Sequence, residues 1–140
     1  RFVVDDLLDQ ADLLPRYAYE KGQMVAEFHA QALKLAVAKG VRIAAGCGLF
    51  VSGPMYGRNG EEVRHLVDAG MTSLEAIESA TARGPETLGP QGPRAGQLRA
   101  GYDADIITLD TNPLDDPSVW GVADRVTNVW IGGVSKKAPA

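Results

Sequence analysis

Val41-Arg42-Ile43-Ala44-Ala45-Gly46-Cys47-Gly48-Leu49-Phe50, continued by a loop to Asn59, is the stretch on which the fold turns. Apart from Arg42, its first six residues are apolar or glycine, with no polar alternation at every second position. A strand covered on both faces has this composition, as in a parallel α/β sheet. Such sheets keep their working groups where strands end, because helices cover the faces and the strand tips meet solvent. Cys47 to Asn59 is therefore the first place to look for chemistry.

The helix before this strand is expected from about Tyr17 to Lys39. Val25, Phe28, Ala32, Leu35 and Ala36 recur at helical spacing, and Gly40 stands where a left-handed cap forms. Upstream, Asp5, Asp6, Asp9 and Asp12 alternate with leucines before Pro15 breaks the chain, and read as a solvated face on a short helix. Helix, Gly40 and buried strand together make half of a β/α repeat. Beyond the strand, Gly53, Pro54, Gly57 and Arg58 describe a shaped loop. Asn59 with Glu62 reads as a capping pair for a helix to about Ala69, closed by Gly70, with Val63, Leu66 and Val67 inward and His65 outward. Thr72 with Glu75 repeats the device for a helix ending near Arg83, with Leu74, Ile77 and Ala80 as its packing face. Gly89-Pro90-Gln91-Gly92-Pro93 reads as a rigid linker. Past it the period changes. Strands are expected at Asp105–Leu109, Arg125–Ile131 and, after the turn Gly132-Gly133, Val134–Lys136.

The 140 residues carry 45% hydrophobic and 23% charged side chains and a net charge of -4. This acidic balance speaks against a nucleic-acid or anionic-membrane partner. A single cysteine rules out an internal disulfide and fits a reducing, cytoplasmic setting. No apolar run approaches the ~18 residues of a membrane helix. The sequence begins at Arg1 without a methionine, and two or three strands cannot bury both their faces. Both points lead to the expectation that the unit is incomplete on its own.

Gly70-Met71-Thr72-Ser73-Leu74-Glu75-Ala76-Ile77, Ala95-Gly96-Gln97-Leu98, Ala100-Gly101-Tyr102-Asp103-Ala104-Asp105, Asn112-Pro113-Leu114 and Val129-Trp130-Ile131-Gly132-Gly133 resemble the C-terminal part of the amidohydrolase superfamily, in its imidazolonepropionase-like and prolidase-like branch. The Ala-Gly-Tyr-Asp-Ala-Asp stretch is the most specific element, and its role there is structural. The resemblance implies an α/β fold: residues 1–89 as the last β/α units of a metal-bearing (β/α)8 TIM-type barrel, and 90–140 as strands of a small composite β-sandwich. Val41–Ala45 would be the eighth barrel strand.

The implied chemistry is hydrolysis of amide or peptide-type C–N bonds by a metal-activated water. In the family the eighth strand ends Gly-Thr-Asp, whose aspartate ligates metal and handles the proton of the water. Here Cys47 replaces the threonine and Gly48 the aspartate, so a catalytically degenerate or substituted protein acting as a binding or structural subunit is the alternative. No metal ligand is expected in these residues. A divalent metal, zinc first, would be held by the remaining N-terminal part of the barrel, in the same or a separate chain. His29 and His65 match no ligand motif. Ser52, Tyr56, Arg58 and Asn59 would border the pocket of a small amide or dipeptide-like substrate. Arg58 is the candidate for a substrate carboxylate, with a loop salt bridge as the competing reading, and Tyr56 either lines the pocket or packs. Cys47 is a nucleophile or thiolate ligand on one reading and a small hydrophobe on the other. A homo-oligomer is expected.

Overall fold

A computed structural model of the chain describes residues 2–9, 11–47 and 56–138. Helices α1 (Phe2–Asp9) and α2 (Arg16–Ala38) lead into an extended segment. Then come α3 (Glu61–Asp68), α4 (Ser73–Ala80) and the single turn α5 (Arg83–Glu86). Strands β1 (Ile106–Leu109), β2 (Val126–Ile131) and β3 (Val134–Lys137) form one antiparallel sheet in the order β1-β2-β3. The chain is thus α/β with a small antiparallel sheet. Among the described residues no helix is long and apolar enough to cross a membrane.

Local chemistry sets the helix ends. Lys39 ends α2, and Gly40 at φ 68° lets its own amide reach Val37 O and that of Val41 reach Ala36 O. Gly70 at φ 111° does the same for α3, with Met71 N–H on Leu66 O. These paired bonds satisfy carbonyls that the helix leaves open, and glycine reaches the left-handed region without penalty. Thr72 caps α4: its Oγ1 accepts from Glu75 N–H at 3.3 Å, and Glu75 Oε2 accepts from Thr72 N–H at 2.8 Å. The expected Asn59–Glu62 pair does not form. Glu61, Glu62 and Val63 donate instead to the carbonyls of Arg58, Asn59 and Gly60, a tight turn that leaves the Asn59 side chain no amide to cap.

The core joins Val63 and Leu66 of α3 to Met71 and Ala76, with Leu33 and Val37 of α2 and Trp120 packed on it. On α4 Ala76 and Ser79 are buried and Ile77 packs on the core as expected, while Leu74 and Ala80, expected on the same face, are exposed. The small residues allow α3 and α4 to approach closely, which a leucine on that face would prevent. Helix α2 is apolar on two opposite sides. Ala26, Leu33 and Val37 face the other described elements, whereas Tyr17, Met24, Phe28 and Leu35, at steps of seven, four and seven, are exposed. The stripe expected to pack is therefore the outward one, because two apolar stripes on one helix cannot both meet a single layer.

Val41–Cys47 carries no strand pairing, and Val41 is 54% exposed, so the buried strand is not realised among the described residues. A β-ladder needs a neighbouring strand, and among the described residues the backbone of this segment instead bonds to α4. Ala45 N–H donates to Ser79 O at 2.9 Å and Ser79 Oγ donates to Ile43 O at 3.0 Å. The three sheet strands fall where expected. Gly132 and Gly133, at φ 56° and 78°, make the two-residue turn between β2 and β3. Asp105 Oδ1 accepts from Gly132 N–H at 2.8 Å and Ala104 O from Gly133 N–H at 2.9 Å. The Ala-Gly-Tyr-Asp-Ala-Asp stretch thus fastens the hairpin, a structural role as expected.

Helix α1 lies on α2 and α3, and of its three aspartates Asp6 is buried while Asp5 is half-buried, 3.8 Å from His65 Nε2. His65 is consequently covered rather than outward, with a side chain only 14% exposed. Burial pushes its pKa below the ordinary value, aided by Arg64 and opposed by Glu62 and Asp5. The folded protein therefore holds His65 neutral where the unfolded chain takes up a proton. Stability falls as pH drops below the ordinary 6.5 and is fully present above it. The thermal midpoint should decline between pH 6.5 and 5, and His65→Gln should flatten that decline; an unchanged slope in the variant would count against it. On the other side of α3, a Cβ on Gly60 would sit 2.4 Å from the Trp120 carbonyl oxygen. Gly60→Ala should cost about 1–3 kcal/mol in chemical denaturation, since backbone must move to admit the methyl.

Candidate functional site

The chain leaves α2, runs along α4 and reaches Cys47, then re-enters the described residues at Tyr56 before α3. Gly48 and Ser52 lie outside the described residues. Cys47 is half-buried, and burial first, then the charge of Glu62, pushes its thiol pKa up. A raised pKa means less thiolate at neutral pH, the opposite of an activated nucleophile. Glu62 itself is buried on α3.

Tyr56 is 64% exposed, so it does not pack as a core residue would. Asn59 is exposed and engages α3 through its main-chain carbonyl. Arg58 has a fixed position. Its Nη1 lies 2.7 Å from Asp6 Oδ1 and its Nε 2.8 Å from Glu61 Oε1. The hydrogen bonds with Glu61 and then Asp6 raise the guanidinium pKa further. Of the two readings of Arg58, the ion pair is the one the geometry displays.

Sequence reasoning missed Asp6 and Glu61 as partners of Arg58, and Ser79 as the hook for residues 43–45. The 52-residue separation of Asp6 and Arg58 leaves no periodic signal. A serine in a helical stretch of small residues was the one available hint of close packing at Ser79.

The structure also contains a cavity of about 950 Å³ where α3 and α4 face the sheet, lined by Val63, Ile77, Ile106, Leu109, Trp120 and Val126 among others. Asn59 borders it; Cys47, Tyr56 and Arg58 do not. It lies between α3 and the sheet, and Gly57 and Gly60 also line it. Three short strands are too few to close that face. Trp120 Nε1 is buried without a hydrogen-bond partner among the described residues.

Among the described residues no three His, Cys, Asp or Glu side chains converge in a way that could hold a metal. His29 is exposed on α2 and His65 is covered by α1. The described residues do not by themselves fit a metal centre.

The sequence pattern of the amidohydrolase family matches residues 4–136. Ochratoxinase from Aspergillus niger is 41% identical over 134 residues, covering 95% of this chain and 27% of the relative. The crystal structure of A. niger ochratoxinase superposes with a TM-score of 0.75 at 39% identity, over 99% of this chain and 31% of that one. A prolidase complexed with N-methylphosphonate-L-proline gives a TM-score of 0.82 at 28% identity, over 96% and 33%. A Xaa-Pro dipeptidase with bound methionine in the active site gives 0.77 at 27% identity, over 97% and 32%. The chain spans between a quarter and a third of the length of these relatives. With a family match along nearly its whole length, the chain belongs to the amidohydrolase family.

Proposed function

We propose that this sequence is the C-terminal segment of a metal-dependent amidohydrolase that cleaves amide or peptide-type C–N bonds with a metal-activated water. Residues 1–89 supply the last β/α units of a TIM-type barrel and 90–140 strands of a composite β-sandwich. One observation carries the reading: 41% identity with ochratoxinase across 95% of the chain. The prolidase and the Xaa-Pro dipeptidase support a dipeptide-like or N-acyl amino acid substrate. The unpaired segment Val41–Cys47 and the exposed stripe Tyr17, Met24, Phe28 and Leu35 support a partner that covers both. In this reading the partner is the N-terminal part of the barrel, which also brings the divalent metal, zinc first. Apolar surface of that extent is costly to leave in water.

The pocket wall contributed here is the loop that leaves the extended segment, with Gly48, Ser52, Tyr56 and Asn59 toward substrate. Gly48 favours a second reading, because glycine offers neither a ligand nor a base where the family's aspartate stands. On that reading the fold is retained for binding and hydrolysis is lost.

Both readings are separable in the full-length protein, unchanged and as Gly48→Asp, assayed for bound metal and for hydrolysis of X-Pro dipeptides and N-acyl amino acids. The hydrolase reading expects metal and turnover in the unchanged protein and faster turnover in the variant. Turnover in Gly48→Asp alone supports the degenerate reading. Absence of metal and of cleavage in both proteins removes the hydrolase assignment.

A further inference from the structure

The residues that lead into α3 are held from both sides. On one, Arg58 bridges Asp6 of α1 and Glu61 of α3 at 2.7 and 2.8 Å, and Asp6 is only 8% exposed. On the other, Gly60 lies so close to Trp120 that a Cβ would meet its carbonyl oxygen, and the Glu61 side chain reaches Gly121. Gly57, at φ 84°, faces Ala123. The two carboxylates occupy two different edges of one guanidinium, an arrangement that a planar fork supports and a point charge does not.

We propose that Arg58 is a positioning residue: with Asp6 and Glu61 it clamps α1 to the first turn of α3 and so fixes where Tyr56 and Asn59 stand, and it is not the anchor of a substrate carboxylate. The proposal deepens the hydrolase reading and rests on it for its consequence in turnover, since it assumes that Tyr56 and Asn59 face the substrate. The physical reason is competition. A guanidinium whose charge is already matched by two carboxylates, one of them buried, gains little from a third, and releasing it would break an ion pair to the buried Asp6. Held in this way, Arg58 sets the backbone that carries its neighbours, and a displacement there of about 1 Å is enough to cost turnover.

The test compares Asp6→Asn, Arg58→Gln, the double variant and Arg58→Lys in the full-length protein, at a temperature where circular dichroism shows all of them folded. Each is assayed on a dipeptide and on the same dipeptide with its terminal carboxylate converted to an amide. The clamp predicts that Asp6→Asn and Arg58→Gln each lower kcat/KM by about tenfold. The loss is alike on both substrates, the double variant is no worse than either single one, and Arg58→Lys recovers part of the loss. A loss in Arg58→Gln confined to the substrate that keeps its carboxylate, or Asp6→Asn with unchanged kcat/KM, overturns it. If the unchanged protein cleaves neither substrate, the hydrolase reading fails separately. The same variants then still decide the clamp through their thermal midpoints: shifts of Asp6→Asn and Arg58→Gln that fail to add in the double variant support it, and shifts that add overturn it.

Discussion

Two hydrogen bonds at Ser79 hold the centre of this structure. The fully buried serine takes the Ala45 amide on its carbonyl and gives its hydroxyl to Ile43, fixing an extended backbone against the side of a helix. A strand in that position would ordinarily be held by neighbouring strands, and α4 supplies a fraction of those bonds. The small residues Ala76 and Ser79 are what allow the approach. Everything downstream takes its place from this contact, because the segment ends at Cys47 and the chain returns at Tyr56 to start α3 in the same core.

The polar clamp and the apolar core are complementary parts of one arrangement. Val63 and Leu66 seat α3 on α4, while the other edge of α3 is tied to α1 through Arg58 and covered by it at His65. The stretch Pro117–Gly121 then closes on the start of α3 through backbone contact at Gly60, with Val119 fully buried. Helical and sheet portions are thereby joined at one turn, although the cavity between them shows that the sheet does not seal the interface. Arg125, paired with Asp110 and Asp116, performs the matching task within the sheet portion. It ties the start of β2 to the loop after β1.

What could be read from the residues was what neighbours in sequence decide. Gly40 and Gly70 as left-handed caps, Thr72 with Glu75, and Gly132-Gly133 between two strands each depend on a few adjacent residues, and each is found as expected. What could not be read was which of several apolar or charged faces meets which element. The stripe of α2 with Phe28 and Leu35 looked like a core face and points outward. Leu74 looked packed and is exposed, and Asp6, one of four similar aspartates, is buried and pairs with Arg58, a partner 52 positions away in sequence. Asn59 failed as a cap since carbonyls had already taken the amides it would have capped. The family resemblance supplied an expectation that periodicity could not, that Val41–Ala45 is one strand of a larger barrel.

The proposal that Val41–Ala45 is a barrel strand whose neighbours come from polypeptide beyond these 140 residues is tested most directly by amide hydrogen exchange. The rates to compare are those of Ile43, Ala44 and Gly46 in the full-length protein and in the 140-residue chain alone. The account predicts strong protection in the first and little in the second, with Ala45 the exception because Ser79 already holds its amide. Equal protection in both, or fast exchange at Ile43 and Ala44 in the full-length protein, would contradict it.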